Sequence, residues 1–168
     1  MNDDRNSHAY QSMMQHLRDL THWKSLRDQL DQAVEKVVTL EELTREEADK
    51  ISDYIQRDVE DAAKFIVETR QDLAAWLRFD INLLEEKLLE MFKHAVDHTQ
   101  LELNKLADQA EIATHWHSSE IIGLGTLQCE QCGKLLHFQK PAKIPLCPQC
   151  QHNQFSRLWE NEHEPLQN

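Results

Sequence analysis

No glycine or proline occurs before residue 120; Gly123, Gly125, Gly133, Pro141, Pro145, Pro148 and Pro165 all follow it. Tight turns draw on both residues, glycine for φ > 0 and proline for a fixed corner. A β-sandwich or a doubly wound α/β domain needs many such turns. The long first part of this 168-residue chain is therefore restricted to helices joined by polar connections. Its composition agrees, being rich in Leu, Glu, Gln, Lys, Arg and Ala, all strong helix formers.

Apolar residues recur there at helical spacing. Tyr10, Met13, Leu17 and Leu20 form one series, and Leu26, Leu30, Ala33, Val37 and Leu40 resume it after a stutter at Trp23. Ala48, Ile51, Ile55, Val59, Ala62 and Ile66 form a second, continued from Leu73 to Ala95. Stripes of this kind mark one buried and one solvated face. Nearly heptad spacing predicts a mainly α architecture, a long antiparallel hairpin packed like a coiled coil. A first helix from Asn6 to about Val38 would be a rod roughly 50 Å long. Thr44-Arg45-Glu46-Glu47 reads as a capping box, placing the turn at about Thr39 to Leu43. Thr99-Gln100-Leu101-Glu102 reads as another, with a break near Asp97-His98, and Asn82-Leu83-Leu84-Glu85 leaves a kink or an unbroken helix open. The polar faces read as solvated surface, with Glu46–Lys50, Asp53–Arg57 and Glu60–Lys64 spaced for i,i+4 pairing.

Charge divides the chain at the same place. Residues 1–117 hold 25 acidic and 14 basic side chains; residues 118–168 hold 5 and 4. The organisation expected is an acidic helical part at 1–117, a small module at 118–160 and a polar tail at 161–168. A net charge of -12 argues against binding DNA or RNA, because little is present to neutralise phosphates. No signal-peptide h-region and no run of about 18 apolar residues is present, so a cytoplasmic protein without membrane contact is expected. In a reducing compartment four cysteines are ligands sooner than disulfides.

Those cysteines carry the strongest chemical signal. Cys129-Glu130-Gln131-Cys132 and Cys147-Pro148-Gln149-Cys150 are two C-x2-C knuckles with 14 residues between them. Each knuckle turns two thiolates toward one point, with backbone N–H groups donating to sulfur. Two knuckles complete a soft tetrahedral site, which suits one structural Zn²⁺ with Cys129, Cys132, Cys147 and Cys150 as ligands. Iron in a rubredoxin-like site is the rival, since the same ligands bind it. Glu120–Gln128, Leu135–Gln139 and Phe155–Trp159 read as three short strands around the metal, with Lys134 and Arg157 placed to offset thiolate charge. So small a β module cannot bury enough apolar area alone, and the metal should hold it together.

The remaining residues point to no catalysis. Glu90, His94 and His98 share a helix face but lack a third element to complete a metal site; solvated surface is the simpler reading. His115, His117, His137 and His152 lie near the ribbon without a defined partner. No phosphate-binding glycine loop and no nucleophile elbow occurs. Lys134, Lys140, Lys143 and Arg157 beside Phe138, Phe155 and Trp159 form a sparse basic and aromatic set, equally readable as a small core and its rim.

The run His117-Ser118-Ser119-Glu120-Ile121-Ile122-Gly123-Leu124-Gly125-Thr126-Leu127-Gln128-Cys129-Glu130-Gln131-Cys132 resembles a known family. Leu40-Glu41-Glu42-Leu43-Thr44-Arg45, Thr99-Gln100-Leu101-Glu102 and Leu146-Cys147-Pro148-Gln149-Cys150 share the resemblance. The family comprises short zinc-ribbon-containing proteobacterial proteins of unknown function, acidic and helical before one carboxy-terminal ribbon. The resemblance implies a zinc ribbon on the same four cysteines and no assigned activity. One departure is Gln151, where the second knuckle usually has Gly. A side chain there must accept φ > 0, or the knuckle must open slightly.

The leading functional expectation is a non-catalytic zinc protein, an interaction or adaptor module with an acidic helical rod and a structural ribbon. An unidentified protein partner, basic in character, would suit its acidic face. Self-pairing through a stripe including Trp23 and Trp76 stays open. Two alternatives remain: a regulator contacting RNA polymerase through the acidic tip Glu41-Glu42 and Glu46-Glu47, and an iron electron carrier. Separate modules would also mean that Cys147→Ser unfolds the ribbon and leaves the helices intact.

Overall fold

The structure, a computed structural model, describes residues 2–19, 25–40, 42–96 and 115–157. Among the described residues five α-helices precede six short strands: α1 (Asn2–Asp19), α2 (Leu26–Thr39), α3 (Arg45–Thr69), α4 (Leu73–Leu77) and α5 (Glu86–Val96), with a 3₁₀ turn at Ile81–Leu83. The strands are β1 (Trp116–His117), β2 (Ile121–Ile122), β3 (Gly125–Cys129), β4 (Leu135–Phe138), β5 (Ala142–Lys143) and β6 (Gln154–Arg157). The mainly α architecture with a small four-cysteine β module is present as the sequence implies.

The long rod is not. A single helix from Asn6 to Val38 is replaced by α1 and α2, and α1 packs against α2, α3 and α5. The Ser25 side chain caps the start of α2 by accepting from the Asp28 N–H at 3.2 Å. That bond satisfies one of the orphan donors of a new helix. Folding α1 back buries Tyr10, Met13 and Leu17 within the bundle instead of spacing them along a two-helix seam.

The α2–α3 turn lies where expected. Thr44 and Glu47 form the capping box: the Glu47 N–H donates to Thr44 Oγ1 at 3.2 Å and the Thr44 N–H to Glu47 Oε2 at 2.9 Å. Arg27 reaches Asp53 and Gln56 across the pair, and Arg45 pairs with Glu35, an antiparallel register. Glu46–Lys50 forms its expected i,i+4 pair at 3.2 Å. Asp53 and Arg57 do not pair; Asp53 takes Arg27, while Arg57 turns to Glu120 of the ribbon.

After α3 the chain breaks twice, at Arg70 and Arg78, both left-handed with φ of 57° and 63°. Asp72 and Asp80 then cap α4 and the 3₁₀ turn. The middle helix is therefore discontinuous near Asp80, and a further stop at Arg70 comes without the glycine that usually marks such a cap. These breaks turn Trp76 and Leu77 inward, where Trp76 stacks on Phe92 with centroids 5.4 Å apart. Trp76 is thus committed to the core of its own chain. The break near Asp97-His98, the box at Thr99–Glu102 and Trp23 lie outside the described residues.

The strands form a four-stranded sheet in the order β1-β6-β3-β4 and a two-stranded one, β2-β5, all antiparallel. The expected strand over Glu120–Gln128 is split at Gly123-Leu124 into β2 and β3. Alternation within β2 explains how two cores meet here: neighbouring strand residues face opposite sides. Ile121 enters the helical core with Leu124, while Ile122 joins Trp116, Leu127, Phe138, Ile144 and Phe155 in the ribbon core.

Candidate metal centre

Cys129 ends β3 and Cys132 follows in the turn to β4; Cys147 and Cys150 flank the second knuckle, before β6. The knuckles repeat one hydrogen-bond pattern. In the first, the Cys129 N–H donates to Lys134 O at 2.8 Å and the Gly133 N–H to Cys129 O at 3.0 Å. In the second, the Cys147 N–H donates to His152 O and the Gln151 N–H to Cys147 O, both at 2.9 Å. Gly133 and Gln151 are thus equivalent positions, and both are left-handed, with φ of 75° and 63°. The departure at Gln151 is met by strain, with the knuckle kept closed. Among the described residues with φ > 0, Gln151 stands at a place where its sister knuckle has glycine.

The four Sγ atoms all lie within 4.8 Å of one another. Cys129 and Cys150 sulfurs are 3.6 Å apart, and those of Cys132 and Cys147 3.5 Å. A regular tetrahedron of thiolates at the Zn–S distance of about 2.3 Å has edges of about 3.8 Å. A disulfide would need about 2.05 Å, so the pairs are spaced as ligands and the cysteines are free. Cys129 and Cys147 are buried, while Cys132 and Cys150 are half-buried.

The electrostatics of the cluster fit a cation at its centre. Burial works against the Cys147 thiolate, but N–H groups of Cys150 and Gln149, with the Cys132 and Cys150 thiols, outweigh it and bring it to about 6. At Cys150 the His152 N–H favours the thiolate, yet burial and the three neighbouring sulfurs push it up to about 12. Cys132 is raised too: the Lys134 N–H favours its thiolate, but burial and the Cys147 and Cys129 thiols prevail. The Cys147 thiol ionises readily while those of Cys132 and Cys150 resist, because negative charges so close repel one another. A soft divalent ion removes that resistance and takes all four as thiolates. Among the described residues no carboxylate or imidazole joins the four-sulfur set.

The residues read from sequence as charge partners behave differently. Lys134 contributes its backbone. Arg157, expected to face the thiolates, instead turns into the helical bundle. Its Nη2 donates to Asp58 Oδ1 at 2.8 Å, its Nη1 to Leu124 O at 2.8 Å, and its Nε lies 3.1 Å from Asp61 Oδ2. The guanidinium sits over Trp76 at 4.5 Å and Trp116 at 5.0 Å. Asp58, with no exposed surface, also accepts from Tyr10 Oη at 2.6 Å and the Gly123 N–H at 2.8 Å. Trp76 Nε1 donates to Asp61 at 2.9 Å, and Thr126 Oγ1 donates to Leu77 O at 2.8 Å. Burial, then the charge and hydrogen bond of Asp58, hold the Tyr10 hydroxyl far above its usual range, so it remains a donor. Gly123 permits the approach: a Cβ there would collide with the Tyr10 ring.

This network escapes a motif search, though one signal exists. Ile51, Ile55, Asp58, Ala62 and Phe65 follow the 4, 3, 4, 3 spacing of the α3 stripe, so Asp58 occupies a buried-face position. A carboxylate at such a position demands a cation. Among the described residues no histidine joins a metal set: His94 is exposed on α5 and His137 Nδ1 lies 2.9 Å from Thr126 Oγ1, while His98 lies outside the described residues. No described helix is long and apolar enough to cross a membrane.

A helical bundle locked to a β module with two facing C-x2-C knuckles defines a zinc-ribbon class of protein. The chain matches a family model described as a zinc-ribbon containing domain over residues 14–158, and it belongs to that family. It is 33% identical over 128 residues to the "Uncharacterized protein YbeL" of Escherichia coli strain K12, covering 76% of this chain and 79% of that one. The proteins of the same name from Escherichia coli O6:H1 and O157:H7 match to the same extent. No solved structure matches.

Proposed function

We propose that the protein is a non-catalytic zinc-binding adaptor. One Zn²⁺ on Cys129, Cys132, Cys147 and Cys150 holds the ribbon in shape, and the ribbon and acidic bundle together present surfaces to a protein partner. The observation that carries the zinc reading is the packing of four sulfurs to within 4.8 Å on two N–H-lined knuckles. Four thiolates saturate tetrahedral Zn²⁺, leaving no position for a nucleophilic water, so the ion acts on shape. Support for the adaptor reading is the acidic surface of a chain with net charge -12 beside a locally basic ribbon edge.

The polymerase-contacting alternative draws less support, because two carboxylates of the acidic tip, Glu42 and Glu47, are engaged within the molecule. Glu42 accepts from Ser12 Oγ at 2.8 Å, and Glu47 serves the capping box and Arg5. Elemental analysis of protein purified from its native host tests the metal. One zinc per chain, colourless, and absent from Cys147→Ser, is the expected result. The visible absorbance of ferric thiolate would replace this reading with the electron-carrier one. A tagged-chain pull-down from nuclease-treated native extract tests the adaptor role: a stoichiometric protein lost with Cys147→Ser supports it, and no stoichiometric partner overturns it.

A further inference from the structure

We propose that the free edge of β4 and the groove beside it form a docking site for an extended acidic peptide of a partner protein. This deepens the adaptor reading and rests on it. Among the described residues β4 is the outer strand of its sheet and pairs with β3 alone. The Cys129–Lys134 pair at the hairpin end is hydrogen-bonded, and bonded pairs alternate along an antiparallel ladder. Leu135 and His137 therefore point their backbone N–H and C=O groups away from β3, and no described group meets them. Such an edge accepts an added strand.

A groove of about 670 Å³ runs alongside, between the ribbon and the start of α5. Leu83, Leu88, Phe138 and Pro145 supply its apolar lining, and Leu83 is 56% exposed. Lys140 and Lys143 stand on its wall, both exposed and without a carboxylate partner among the described residues. Glu85 is the carboxylate on the rim. Two unpaired lysines beside an apolar trough, on a chain of net charge -12, select a ligand with a few carboxylates alternating with apolar side chains. In an added strand alternate residues face one side, so apolar groups can enter the trough while carboxylates reach the lysines. A polyanion is disfavoured, since its charge meets two lysines and then the acidic bundle. The basic and aromatic set noted in the sequence thus splits: Arg157, Phe155 and Phe138 are buried, Phe138 with an edge on the groove, whereas Lys140 and Lys143 stand exposed on its wall.

The test uses the zinc-loaded full chain, ¹⁵N-labelled, titrated with a short synthetic peptide of alternating leucine and glutamate. The expected result is saturable shifts of the Leu135, His137, Lys140 and Lys143 amides. The Lys140→Glu/Lys143→Glu double variant should weaken binding about tenfold or more, and Glu85→Gln should preserve or tighten it. All three positions are exposed, and unchanged zinc content and circular dichroism verify the variants' fold. Equal binding by the double variant, shifts confined elsewhere, or equal binding of a leucine–lysine peptide would overturn the proposal. So would tighter, lysine-dependent binding of a uridine oligonucleotide, which would assign the groove to nucleic acid. Failure of the peptide removes this site alone; the native pull-down decides the adaptor reading separately.

Discussion

Arg157 spans the ribbon and the bundle with one side chain, and its loss should be costly. Arg157→Met would leave Asp58 and Asp61 buried without their cation, at a cost of about 3–5 kcal/mol. Urea denaturation followed by tryptophan fluorescence measures it, and a loss under about 1 kcal/mol would mean that water relieves the carboxylates. Gln151 is the opposite case. A left-handed non-glycine residue costs roughly 1 kcal/mol or more, so Gln151→Gly should stabilise the chain by about 1 kcal/mol and tighten zinc under competition with a chelator. No gain would show that the Gln151 side chain offsets the strain.

At the scale of elements, α3 carries both the deepest packing and a carboxylate at odds with it. Glu60 is buried beside Gln56, which donates to it at 2.8 Å. Burial raises its pKa, only partly countered by that bond and by Arg27. A carboxyl with a raised folded value binds its proton more tightly folded than unfolded. Its contribution is most favourable below the unfolded value of about 4.3 and is lost as pH rises through the folded one. Glu60→Gln should therefore raise the urea midpoint at pH 7, with the gain fading by about pH 3. A gain independent of pH would place its origin in packing. The knuckles, the α2–α3 turn and the Thr44 cap were legible because each rests on residues within a few positions of one another. The breaks at Arg70 and Arg78 were not, since left-handed caps there are imposed by burying Trp76 and Leu77 and carry no glycine. β1 and β5, two residues each, are too short for any periodicity to reveal.

At the scale of the whole molecule, the pairing of Asp58 with Arg157 joins residues 99 positions apart, and no local pattern reports a bond of that range. It also revises the expectation for Cys147→Ser. β6 pairs with β3 at Cys129, so loss of the metal loosens the strand that holds Arg157. Chelation, or Cys147→Ser, should thus lower the thermal midpoint of the helical circular-dichroism signal by several degrees, since about 1 kcal/mol shifts it by roughly 2–8 °C. An unchanged midpoint would show that bundle and ribbon fold independently despite the buried pair.

The same long-range bond imposes an order on synthesis. A ribosome delivers Tyr10, Asp58, Asp61 and Trp76 well before it delivers Arg157, and translation proceeds at about 5–20 residues per second. For that interval the nascent helices hold two carboxylates destined for burial and no cation to match them. The helices can form early, but their closest packing must wait for β6 to emerge. A chain cut short before residue 157 would still carry the sequence of α1 to α5 and be marked as unfinished by a solvated, unsealed seam, open to the proteases that remove incomplete proteins.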